Sequence, residues 1–137
     1  VGLILDSSVL IPAERKRQNA HQAIADIATR FPGEDLALFA ITIVELAHGV
    51  ARSNAPVREQ MRRQFLHELI TAMPVYPVTT SIALNAGRID GECTGRGLRI
   101  ALADLLIGAT ALELGYKVAT INLRHFQMIP QLGILPF

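Results

Sequence analysis

The run from Ala101 to Leu112 most constrains how this chain can fold, because every residue in it is apolar or small except Asp104 and Thr110. Its apolar side chains (Leu102, Leu105, Leu106, Ile107, Leu112, followed by Leu114) point in all directions around a helix, which predicts a buried helix and not an amphipathic one. Gly115 suits the C-terminal stop, and Lys117 to Ile121 reads as a short strand leading to Asn122. A lone carboxylate in such a setting costs on the order of several kcal/mol unless it is paired, hydrogen-bonded or coordinated. If the helix starts near Ala101, Asp104 also lies in a first turn, where the helix dipole favours an acid by roughly 0.3–1 kcal/mol. The remaining chain is therefore expected to supply Asp104 with a partner.

From the start, Val1 to Leu5 is an apolar run of strand length ending on Asp6-Ser7-Ser8, and Val9 to Pro12 begins a short helical turn. In open α/β sheets ligands bind beyond the carboxyl ends of strands, where Asp6 stands. Asp6 reads equally well as a helix N-cap. After a basic cluster at Arg15, Lys16 and Arg17, Asn19 to Phe31 reads as an amphipathic helix that Pro32-Gly33 breaks. Leu36 to Ala40 is the second strand. Thr42 is placed to cap a helix from Ile43 to about Arg52, and Glu45 follows at capping-box spacing. Glu45 is thus either a cap partner or an acid at the same sheet edge as Asp6.

Val57 to Met73 forms an apolar stripe at helical spacing (Val57, Met61, Phe65, Leu66, Leu69, Ile70, Met73), with Arg58, Arg62 and Arg63 off it. This helix pairs with the preceding one into a hairpin through Ser53 to Pro56, and its arginines read as a solvated face or a contact for a polyanion or partner chain. Pro74 to Val78 is a third strand, Thr80 to Cys93 a helix opened by a Thr or Ser cap, and Gly95-Arg96-Gly97 a basic turn. Alternation of strands with connections of helical length predicts an α/β fold: one domain, residues 1–137, with a parallel sheet of four to five strands and helices on both faces. Right-handed crossovers then place Asp6, Glu45 and Asn122 on one side, with Asp104 reaching the same crevice.

Half of the residues are hydrophobic, which speaks against disorder. The one cysteine, Cys93, cannot close an internal disulfide, and no targeting segment or membrane-length apolar run is visible, so the expected setting is cytoplasmic with no membrane contact. The net charge of +1 permits a phosphate-rich partner without requiring one. Three acids meeting in one crevice repel one another unless a cation neutralises them. Oxygen ligands select a hard ion, Mg²⁺ or Mn²⁺, and such an ion suits phosphodiester hydrolysis. His21, His48, His67 and His125 have no zinc-ligand spacing.

Four blocks carry a family resemblance: LILDSSVLI at Leu3 to Ile11, AITIVELAHGV at Ala40 to Val50, ALADLLIGATALELG at Ala101 to Gly115, and VATINLRHFQMIPQLGI at Val118 to Ile134. In order and spacing they resemble PIN-domain ribonucleases, and among these the VapC-type toxins of toxin–antitoxin pairs. The resemblance implies a Mg²⁺-dependent endoribonuclease in which Asp6, Glu45 and Asp104 bind metal and Ser8 supports the site through water. Asn122 stands where many members carry a fourth Asp, which implies one well-held Mg²⁺ in the absence of RNA. Asp90 is a weaker supporting candidate, and Arg96 and Arg99 are candidates for RNA phosphate. The resemblance further implies a tRNA or rRNA substrate, a homodimer, and a small cognate antitoxin covering the crevice, with the hairpin of Ile43 to Met73 as the candidate contact.

Two other readings stay open. A haloacid-dehalogenase-like or receiver-like phosphoryl-transfer domain also uses an Asp after its first strand, as a nucleophile, though Ser8 replaces the second Asp such domains carry. A non-catalytic member of the PIN fold would bind RNA or protein only.

Overall fold

The computed structural model describes residues 2–137; the expected strand residue Val1 lies outside them. In chain order the elements are β1 (Gly2–Leu5), α1 (Ser7–Arg15), α2 (Ala20–Arg30), β2 (Asp35–Phe39), α3 (Ala40–Ala51), α4 (Pro56–Ala72), β3 (Val75–Tyr76), α5 (Thr80–Gly95), α6 (Leu102–Leu114), β4 (Lys117–Thr120), α7 (Leu123–Gln127) and β5 (Ile134–Pro136). The strands form one parallel sheet in the order β3-β2-β1-β4-β5.

The central strand is apolar throughout because both of its faces are covered. Its side chains alternate: Ile4 joins Val118, Phe39 and the inner faces of α5 and α6, whereas Leu3 and Leu5 join Leu38, Ala119 and the faces of α1, α2 and α4. The sheet thus separates two cores, and its carboxyl edge is left for polar residues. Asn19 closes a complete capping box with Gln22 at the start of α2, and Thr79 accepts from the Ile82 amide to start α5.

Four expectations need correction. The first helix begins at Ser7 and runs through Pro12 to Arg15; Pro12 stands in its second turn, where the missing amide forfeits one bond, that to the Ser8 carbonyl. Thr42 does not cap α3. That helix begins directly at Ala40, and Thr42 sits fully buried inside it, donating its hydroxyl to the Leu5 carbonyl at 3.3 Å. The stripe on α4 is only partly inside: Phe65, Leu69 and Met73 are buried, but Val57, Met61 and Ile70 are exposed. At 17 residues, α4 is longer than α2 and α3, the helices it packs on, with 11 and 12. On α6, burial starts at Leu105, and Leu102 in the first turn is exposed. Gly115 ends α6 in the left-handed conformation, as its C-terminal position predicts.

Candidate active site

Parallel pairing sets Leu5 beside Ala119, and one step further the chain brings Asp6 beside Thr120. The Asp6 amide continues the ladder by donating to the Ala119 carbonyl at 3.0 Å. Asp6 occupies the N-cap position of α1, yet its carboxylate makes no capping bond. Instead its Oδ2 accepts two hydroxyls, from Ser8 at 2.7 Å and Thr120 at 2.9 Å. The Ser8 oxygen in turn accepts from the Ile121 amide, and the Thr120 oxygen from the Asn122 amide. A buried carboxylate, 4% exposed, is thereby held in one orientation by two hydroxyls, each of which is itself fixed by a backbone amide at the end of β4.

Glu45 lies one helical step beyond Thr42 on α3, on the face that Thr42 anchors to the end of β1. It therefore sits in the second turn of α3 and plays no part in a capping box. Burial pushes its carboxyl above the ordinary value of 4.5; the nearby Ser7 hydroxyl draws it down, while the charges of Asp6 and Asp104 raise it further. Asp104, in the first turn of α6, behaves in the same way. Burial raises it above 3.8, the His125 side chain lowers it, and the charge of Asp6 raises it. The charge of Asp6 acts on both other acids and that of Asp104 on Glu45, so the three carboxyls lie within electrostatic reach of one another. The partner that Asp104 requires is His125 on α7, whose Nδ1 lies 3.0 Å from Oδ2. Phe126, the next residue, is fully buried and fixes α7 against the core.

Asn122 is exposed at the start of α7; its backbone is tied into the Asp6 network through Thr120, and its amide side chain caps nothing. Asp90 is exposed on α5 and is not among the groups that shift Glu45 or Asp104. Arg99 lines a small cavity with Asp104 and His125, whereas Arg96 points its guanidinium toward the Cys93 sulfur at 4.0 Å. Ser7 and Thr120 escape a reading of the sequence, since isolated hydroxyls carry no pattern of their own; His125-Phe126 is visible as a polar-aromatic step of the kind the family carries, but not as the partner of Asp104. For the hydroxyls the only available signal is that Thr120 precedes Asn122 by two residues at the end of the strand beside β1.

Among the described residues, no three acidic, histidine or cysteine side chains enclose a metal by themselves. The donor set fits a hard ion that keeps several waters. Such an ion needs only one or two carboxylates, and here Asp6 has one oxygen fully committed while Glu45 and Asp104 gain from neutralisation.

The PIN domain family matches residues 3–129. Ribonuclease VapC10 of Mycobacterium tuberculosis is 32% identical over 130 residues, covering 95% of this chain and 90% of the relative. The tRNA(fMet)-specific endonuclease VapC of Salmonella typhimurium is 30% identical over 99 residues, or 72% and 73% of the two chains. The solved structure of VapBC-1 from nontypeable Haemophilus influenzae superimposes with a TM-score of 0.80 at 26% identity, covering 99% of this chain and 98% of that one. The haloacid-dehalogenase-like and receiver-like readings lose their basis with this match. A five-stranded parallel sheet, acids gathered at its carboxyl edge and these relatives agree: the chain belongs to the PIN-domain family, in its VapC group.

Proposed function

We propose that this protein is a divalent-metal-dependent endoribonuclease that hydrolyses RNA phosphodiester bonds, acting as the toxin of a toxin–antitoxin pair. The observation that carries the reading is the convergence of Asp6, Glu45 and Asp104, two of which are raised by burial and by the charge of their neighbours. The names of the relatives, a ribonuclease and a tRNA-specific endonuclease, supply the substrate class.

In this reading Asp6, Glu45 and Asp104 hold the ion, Mg²⁺ with Mn²⁺ as a substitute. When bound, the ion supplies charge neutralisation at phosphate and acidifies water. The chain's own residues do the positioning. Ser8 and Thr120 fix Asp6 so that its second oxygen faces the centre without rotamer cost on binding. His125 holds Oδ2 of Asp104 and leaves Oδ1 free. Asn122 presents a neutral amide at the rim, suited to a water or a substrate oxygen, and Arg99 lines the same mouth as Asp104, where a phosphate is attracted. A small antitoxin covering this crevice and a homodimer complete the reading.

The test is incubation of the antitoxin-free protein with total tRNA and rRNA in Mg²⁺, Mn²⁺ or EDTA. Discrete fragments that disappear with EDTA support the reading. Intact RNA in every lane, from a protein that binds Mn²⁺, favours a binding-only member of the family.

A further inference from the structure

Two adjoining cavities lead away from the acidic centre along the seam between α1, α3 and α4. The nearer, about 230 Å³, has Glu45 in its wall together with His48, Glu14, Arg15 and Arg62. It shares Glu14, Arg15 and Arg62 with a larger one of about 610 Å³, whose walls add Arg17 and Arg58. In the larger cavity four arginines thus face one acid, Glu14. That acid is already engaged: Nε of Arg62 donates to Glu14 at 3.0 Å, and Nη1 of Arg62 donates to the Gly49 carbonyl at 2.9 Å. Arg15, Arg17 and Arg58 are exposed, and among the described residues none of the three forms an ion pair with a carboxylate.

Arg17 adds an independent mark. It follows the end of α1 with φ of 60°, the left-handed region where helices usually place glycine. An L side chain is disfavoured there, yet the position carries a long cation directed at the same concavity as Arg15 and Arg58.

We propose that Arg15, Arg17 and Arg58 form a phosphate track for the RNA strand, running from Glu45 past the Arg62–Glu14 pair into the larger cavity. This rests on the ribonuclease reading above. Unpaired guanidinium forks match phosphate oxygens, and their succession along one trough that has Glu45 in its wall suits a backbone of repeated charge better than a folded partner.

The experiment compares the wild-type protein with the triple variant Arg15→Gln, Arg17→Gly, Arg58→Gln. Because glycine is at ease at position 17, the variant keeps its fold, which circular dichroism checks. Binding of a short labelled single-stranded RNA is measured in EDTA across a salt series, with poly-L-glutamate as competitor, and cleavage is measured separately in Mg²⁺. The track predicts that the variant loses affinity by roughly tenfold or more at moderate salt and that the slope of log K against log salt falls by about two. Hydrolysis of bis-p-nitrophenyl phosphate in Mn²⁺, a substrate too small to reach the track, stays unchanged. A variant with the wild-type slope overturns the track, as does poly-L-glutamate competing as well as RNA, which would assign the trough to a polypeptide. Arginine-dependent RNA binding without any cleavage supports the track and removes the hydrolase reading alone.

Discussion

Thr120 donates its hydroxyl to Oδ2 of Asp6 at 2.9 Å, joining the last residue of β4 to the first residue beyond β1 across 114 positions of sequence. The bond is short-range in space because the two strands are parallel neighbours, with Leu5 opposite Ala119. It makes the orientation of the acid a property of the sheet.

Thr120→Val keeps the shape of a fully buried side chain and deletes both that donor and the acceptor of the Asn122 amide. A hydrogen bond to a charged group contributes about 1.5–3 kcal/mol, so urea unfolding is expected to show a loss of that order. Orienting partners of metal ligands typically contribute about 10- to 100-fold to metal affinity, and Mn²⁺ titration is expected to show a loss in that range.

The raised carboxyls of Glu45 and Asp104 set a pH dependence for the metal-free protein. A folded-state value above the unfolded one means that the folded chain binds the proton more tightly. The stabilising contribution is therefore complete below the ordinary values of 4.5 and 3.8 and is lost as pH rises through the raised ones. Glu45→Gln removes this dependence at one site. Thermal melts in EDTA are expected to show the variant more stable than wild type at neutral pH, with the difference closing toward pH 4. Addition of Mn²⁺ reverses the order, because the ion binds only the folded wild-type site.

Phe126→Ala tests whether α7 is held by its apolar residue. Phe126 is fully buried and stands next to His125, so its loss is expected to cost about 3–5 kcal/mol and to lower the melting temperature on the order of 10 °C. A melt within a degree of wild type would show that α7 is anchored elsewhere.

Asp90→Asn is the contrasting case. Its carboxylate is exposed on α5 and is absent from the charge effects on Glu45 and Asp104, so cleavage of tRNA and stability in urea are expected to match wild type.

The α/β alternation, the parallel sheet and the helix stops at Phe31 and Gly115 are legible in the sequence because they follow from hydrophobic period and glycine or proline punctuation. The three acids stand out for a different reason: each interrupts or ends an apolar run. Glu45 shows where local rules fail. Thr42 has every local feature of a cap, but a helix that starts at Ala40 buries it and spends its hydroxyl on Leu5, a contact 37 residues away that no local pattern encodes. The same holds for His125, whose partner Asp104 lies on another helix, and for Thr120. The exposed Val57, Met61 and Ile70 follow from the length of α4 relative to its neighbours, which the periodicity of one helix does not contain.

The most direct test of the central claim is cleavage of tRNA and rRNA by wild type and by Glu45→Gln, in Mg²⁺ and in EDTA, with both proteins shown to be folded. Glu45 has no capping role left in the structure, so its loss reports on the acidic centre and not on the start of α3. The account predicts discrete fragments from wild type in Mg²⁺, none in EDTA, and none from a Glu45→Gln protein that melts normally. Wild-type rates from Glu45→Gln, or cleavage that persists in EDTA, would contradict a metal-dependent centre built from Asp6, Glu45 and Asp104.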